Sequence, residues 1–264
     1  MSGKRIPTVL CFMVLGVALF RPAPIQAQEP GRSLHIKSSL GVEYFSRTIV
    51  WDEGLYSSKL KAAIGVLRAE LELQKSFTIG AFAGYTLSNF NGLVFRQLPF
   101  SIDYEAGNIG GLLWGADVDA ILFVVGDYEI GATAQFAMSL RSTAEFEILS
   151  LNQKGDLVAK RKWNRVLGGP VIRYTGYEDF MPFLSIAYNR LWGTFALSET
   201  IVDLEGTEEK TIAGKGIIGI TVGTVYEPSA VFKLKAEVTA LPYTKIGGGL
   251  DVDYGASVKV VVFF

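Results

Sequence analysis

From Leu34 onward the chain deals its apolar residues to every second position, the period of a β-strand with one greasy and one polar face. In Tyr128–Arg141 one face reads Tyr, Ile, Ala, Ala, Phe, Met, Leu and the other Glu, Gly, Thr, Gln, Ala, Ser, Arg. Residues 231–241 set Phe232, Leu234, Ala236, Val238 and Ala240 against Lys233, Lys235, Glu237 and Thr239, and residues 34–44 repeat the scheme. Ten such segments stand out: roughly 33–45, 58–73, 76–88, 107–125, 128–141, 164–175, 181–197, 211–226, 230–241 and 248–264.

The connections alternate in length. Those at 74–75, 126–127, 176–180 and 227–229 are short and turn-like. Those near 46–57, 89–106, 142–163, 198–210 and 242–247 are longer, and 142–163 reads as a hairpin standing above the rest around Asn152–Asp156. This rhythm predicts an all-β fold, an antiparallel up-and-down barrel of about ten strands, with eight or twelve as alternatives.

Alternation alone does not say which face is wet. A soluble barrel would turn the apolar face inward, but two features favour the reverse. Aromatic residues on the apolar face form two rings: Phe77, Tyr128, Tyr174, Tyr226, Phe232 and Phe264 near the short turns, and Tyr44, Tyr85, Trp114, Trp192 and Tyr254 toward the long connections. Such girdles mark the two interfaces of a bilayer, and a tilted ten-residue stretch spans roughly 25 Å of apolar band. The polar face is also rich in glycine (Gly80, Gly84, Gly131, Gly219, Gly223), which suits a narrow lumen better than a solvated surface.

Composition changes the picture in two places. The 264 residues are 49% hydrophobic and 19% charged, yet past the N-terminus no apolar run approaches the roughly 18 residues of a membrane helix. Residues 1–27 carry Lys4 and Arg5, an apolar stretch from Val9 to Phe20 and a small residue at Ala27, the order of a cleaved signal peptide; the mature barrel is expected over 28–264. The single cysteine, Cys11, falls in that leader. The mature chain therefore offers no disulfide, thiol nucleophile or zinc–thiolate site, and its slight acidity gives no reason to expect nucleic acid.

The C-terminal stretch Tyr254-Gly-Ala-Ser-Val-Lys-Val-Val-Val-Phe-Phe264 resembles the last strand of Gram-negative outer-membrane β-barrel proteins. The resemblance covers the mature chain as architecture without selecting a subfamily. It implies that Tyr254, Val258, Val260, Val262 and Phe264 form an insertion signal read by the barrel-assembly machinery, that outer-membrane lipid and lipopolysaccharide surround the protein, and that the strand number is even. Val261 departs from the pattern, since that position faces the lumen.

The alternation assigns to the lumen Lys37, Glu43, Arg68, Glu70, Glu72, Asp117, Asp119, Glu129, Arg141, Arg165, Arg173, Lys233, Lys235 and Glu237, together with Lys215, Asp251, Asp253 and Lys259. These charges are balanced in sign, so in a narrow interior they should pair and tie the lumen shut. Arg190 breaks the scheme: it either points outward, snorkelling to lipopolysaccharide phosphates, or is turned inward by a bulge. Asp117-Val118-Asp119 resembles one half of the carboxylate site of omptins, but its Asp-x-His counterpart is missing and the one histidine, His35, lies at the start of the first strand. No cofactor, metal or phosphate motif appears. The aromatic segment 89–106 should pack over the mouth or bind a partner, and the acidic run Glu199, Asp203, Glu205, Glu208, Glu209 reads as a solvated loop. The expectation is a monomeric, non-enzymatic barrel with a structural or surface-interaction role; a narrow pore is the alternative and a surface enzyme the third reading.

Overall fold

The computed structural model describes residues 34–264 apart from 74–75, 106, 151–152, 202, 230, 246 and 264. The leader at 1–27 and the terminal Phe264 lie outside the described residues. The strands are β1 (Leu34–Trp51), β2 (Tyr56–Leu73), β3 (Phe77–Asn89), β4 (Leu93–Phe95), β5 (Ile102–Tyr104), β6 (Ile109–Val125), β7 (Tyr128–Ser150), β8 (Gln153–Tyr174), β9 (Phe180–Ile201), β10 (Leu204–Gly214), β11 (Ile218–Ser229), β12 (Phe232–Thr244) and β13 (Leu250–Phe263).

Ten of them close a ring, β1–β2–β3–β6–β7–β8–β9–β11–β12–β13 and back to β1, every pair antiparallel. A circuit across the strands runs Leu34–Leu73–Phe77–Ala120–Ala132–Pro170, crosses to Ile186, and continues Ile220–Ala240–Tyr254 to Ser46. It returns to β1 at residue 46 after leaving from residue 34, a shear of 12. That stagger tilts the strands by about 40° and brings the short turns to one level.

The alternation sorts the faces. Val42, Leu67, Leu112, Leu184, Ile186, Ile220, Val222, Val238 and Val258 are exposed on the outside, while their neighbours in sequence point into the ring. Tyr44 packs on Tyr254 with ring centroids 6.2 Å apart, and Trp114 on Phe136 at 6.0 Å; near the short turns Tyr128 meets Tyr174 at 5.2 Å.

Two expected loops are built as strand, and the hairpin expected within 142–163 is present. β1 runs on to Trp51 and β2 starts at Tyr56, so 46–57 is strand except for a tight 3₁₀ turn at Asp52–Gly54. β7 and β8 continue as a hairpin to Ser150 and Gln153. The stretch 198–210 is mostly strand too, the top of β9 and most of β10. Beyond the level of the aromatic girdle both faces of a strand meet water or each other, so period-2 alternation fades while the backbone ladder persists.

β10 and β11 form one descending strand broken at Lys215–Ile217, where Gly216 takes φ 73°. Both pair with β9, but their other edges diverge: β11 pairs with β12, whereas β10 reaches over the short β12–β13 hairpin to β1 at Ile49 and Val50. The ring therefore narrows above that hairpin, whose turn bends through three successive glycines, Gly247–Gly249, all near φ 90°.

Candidate functional site

The lumen divides into a charged chamber toward the short turns and an apolar plug toward the long hairpins. The chamber has a cavity of about 390 Å³. Side chains reach it from opposite walls because the strands tilt and inward positions recur every second residue. Arg165 on β8 grips the Glu43 carboxylate on β1 with both Nη atoms, the Nη2–Oε2 contact being 2.8 Å, and takes Gln135 at 3.0 Å. Arg68 lies 3.0 Å from Asp117, and Glu70 lies between Arg68 (3.9 Å) and Lys259. Arg173 pairs with Asp119, Lys37 with Glu72, Lys235 with Glu237 at 2.7 Å, and Lys233 with Glu227 at 2.7 Å. Ser257 donates to Glu237 at 2.9 Å. Glu129 lines the cavity with no ion-pair partner among the described residues. Gly80 faces this network: a Cβ there would press on the Asp117 carboxylate.

Four residues assigned inward from the sequence sit elsewhere. Arg141 is exposed on the outer surface, because β7 carries an extra residue between Ser139 and Ser142 against Trp163 and Arg161 on β8, and the bulge shifts the alternation. Lys215 lies at the break below β10, donating to the Thr244 carbonyl at 3.2 Å. Asp251 sits at the end of the β12–β13 hairpin, accepting from the Tyr243 hydroxyl at 2.6 Å with Lys245 at 3.5 Å. Asp253 is fully buried where β10, β13 and β1 meet. Its carboxylate accepts from Thr48 N–H (2.7 Å), Thr48 Oγ1 (2.9 Å) and Lys59 Nζ (2.8 Å), with Arg47 Nε at 3.8 Å. Arg47 turns its other nitrogens on Asn189 Oδ1 (2.7 Å) and on the carbonyls of Lys215 and Gly216 (2.8 and 2.9 Å). Arg190 is exposed on the outer face, its guanidinium 5.8 Å from the Trp192 ring.

Of the expected insertion-signal residues, Tyr254 and Val258 are exposed on the outer face and Val260 and Val262 are half-buried there. Val261 is buried in the lumen.

The plug is the segment 90–105. β4 and β5 pair as a miniature hairpin that turns Phe90, Phe95 and Tyr104 onto Phe195 of β9, at ring-centroid distances of 5.0, 5.8 and 4.8 Å. All four are essentially inaccessible. They merge with Phe45, Ile49, Leu60, Leu113, Leu157, Leu191 and Trp163 into one apolar cluster. Trp163 meets Phe45 edge-on at 5.6 Å and donates Nε1–H to Ser88 at 3.1 Å. Beside it the buried Arg161 is held by the carbonyls of Ile109 and Thr86, both at 3.1 Å, and by Ser139 Oγ. Burial pushes the Tyr104 phenol up to about 12, against the opposing pull of Arg161.

The plug is latched by acids that sequence reasoning read as a solvated run. Glu208 and Glu199 are buried, and their carboxylates accept the backbone N–H groups of Gln97 (2.7 Å) and Phe100 (3.0 Å). Lys210 ties Glu208 (2.9 Å) to Asp52 (3.0 Å). Asp203, Glu205 and Glu209 are exposed. Alternation along β10 puts 208 and 210 on one face, so their inward placement is readable once 204–214 is taken as strand; Arg47 and Arg161 likewise share the inward face of Phe45 and Arg165 once β1 and β8 are taken at full length.

No protein-family model matches the sequence, and no curated protein matches it. Among solved structures, the chain is similar to the outer membrane protease OmpT from Escherichia coli, at 13% identity over 90% of this chain and 99% of that one, with a TM-score of 0.47. It is also similar to the translocator domain of the autotransporter NalP from Neisseria meningitidis (13% identity, 87% and 88% covered, TM-score 0.46). An outer membrane channel from Pseudomonas putida F1 is a further match (14% identity, 93% and 100% covered, TM-score 0.39). The architecture read from the strand pairing itself is a closed, antiparallel, up-and-down ring of ten strands with an apolar outer face.

Proposed function

We propose that the protein is a monomeric outer-membrane barrel whose lumen is closed to solutes and whose work is structural or done at its outer surface. The observation that carries this reading is the Phe195 cage: an aromatic plug packed without solvent access and held by two buried carboxylates. Its exterior supports a lipid setting, because an apolar belt running right round a barrel far exceeds the few hundred Å² that a water-soluble monomer leaves exposed. Surrounding lipid and the assembly machinery, through the outer-facing residues of β13, are the partners this reading implies.

Planar-bilayer recording tests it. The full mature protein should show no discrete conductance, and replacing residues 91–105 by a short Gly-Ser turn should produce channels. Reproducible conductance steps from the unaltered protein would sink the closed-lumen reading in favour of a narrow pore, the second reading, which the cavity of about 390 Å³ below the plug favours. The same proposal assigns no catalysis to Asp117 and Asp119, since each is engaged by an arginine, Arg68 and Arg173. Cleavage of a peptide, or altered lipid A, dependent on these two residues would reverse that assignment.

A further inference from the structure

Charge on the outer surface of β7–β9 is layered. Around the girdle residue Trp192 stand Arg190, one outward position below it on β9, Lys162 and Lys160 above it on β8, and Arg141 near its level on β7; three are exposed and Lys160 is half-exposed. None has an ion-pair partner among the described residues. Higher on the same strands the outer face turns acidic, with Glu145, Glu147 and Asp156 all exposed. The register gathers the cations. Lys162 lies opposite the bulge that turns Arg141 outward, Asn164 opposite Trp192, and Val166 opposite Arg190. Strands lie about 4.8 Å apart, but Lys162 and Lys160 stand four and six residues along β8 from the partner of Arg190, so the cations form an elongated patch that suits a ligand with more than one phosphate.

From this we infer that the patch binds the phosphate groups of lipid A in the outer leaflet. The inference rests on the outer-membrane reading above and deepens it. A guanidinium that reaches up from the belt to the girdle indole, with unpaired ammonium groups at successive levels above, meets an amphiphile whose acyl chains lie along the apolar belt and whose phosphates sit at its edge. A soluble polyanion would have no use for the adjoining apolar surface, and the acidic layer above would repel one arriving from solvent.

The test uses the whole mature barrel, folded in detergent and titrated with lipid A or with the same lipid stripped of phosphate, bound lipid being counted by native mass spectrometry. Lipid A should bind about tenfold or more tightly than the stripped lipid, with affinity falling as salt rises. The combined variant R141Q/K160Q/K162Q/R190Q should lose that preference while keeping the heat-sensitive gel migration of a folded barrel. The variant K61Q, which alters an exposed lysine on β2, should keep the preference. Equal binding of both lipids, or a quadruple variant that binds as the parent does, would overturn the inference. So would phosphatidylglycerol competing as well as lipid A. Failure of the parent to fold into neutral phosphatidylcholine bilayers would instead strike the outer-membrane reading itself.

Discussion

Asp253 accepts the backbone N–H of Thr48 at 2.7 Å, across 205 residues of sequence. β1 leaves β13 after Ser46 and meets β10 only at Ile49, so the N–H between them has no strand partner; the carboxylate takes that place. Replacing Asp253 by alanine should orphan this N–H and leave the buried Arg47 uncompensated. A loss of about 3–5 kcal/mol in urea unfolding from lipid vesicles is expected. Asp253→Asn keeps an acceptor and should cost less.

Glu43 and Arg165 form the best-shaped pair of the charged chamber, bidentate and joined across the ring. Single substitutions to glutamine should each destabilise, and the double variant should lose less than the sum. A coupling of about 0.5–3 kcal/mol from the double-mutant cycle is expected. Additive losses would mean that the two groups act separately.

Phe195→Ala should remove the ring on which Phe90, Phe95 and Tyr104 converge, at a cost of about 3–5 kcal/mol. Glu199→Gln with Glu208→Gln should act more locally. The latch to Gln97 and Phe100 weakens, and limited proteolysis should cut within 96–101 faster than in the parent, with global unfolding little changed.

The Tyr104 phenol, held up to about 12 by burial, should be absent from the tyrosines that ionise near pH 10. The difference in the 295 nm titration between the parent and Tyr104→Phe isolates it. Unfolded, this phenol loses its proton near pH 10; folded, it retains it to about 12. Stability from this group is therefore complete below pH 10 and declines as pH rises between 10 and 12. A Tyr104 step near pH 10 in the folded protein would mean that the plug is wet.

The alternation revealed the ring because lipid and a narrow lumen impose opposite demands on successive residues; strands such as β2 and β6 were readable almost end to end. That pressure ends at the upper girdle. The tops of β1 and β9, and β10 as far as Lys210, read as loop because nothing there forces apolar and polar residues to alternate, whereas the β7–β8 hairpin was legible from its turn. The bulge at Leu140–Arg141 left no mark in composition, so one extra residue sent Arg141 to the outside. The aromatic content of 89–106 did signal packing over the mouth. Its carboxylate latches come from β9 and β10, more than 90 residues away, and such a meeting is visible only in three dimensions.

The divided edge of β1 bears on how the barrel closes. Its lower stretch is aligned by β13, its upper stretch by β10 and the Asp253 carboxylate. A one-residue slip of the last strand would turn Lys259 from Glu70 toward lipid and, in the same motion, draw Asp253 away from Thr48. A misaligned ring thus meets two penalties at opposite ends of a single seam. Two distant checks on one register act as proofreading for the closure step, which joins the first strand of the ring to the last.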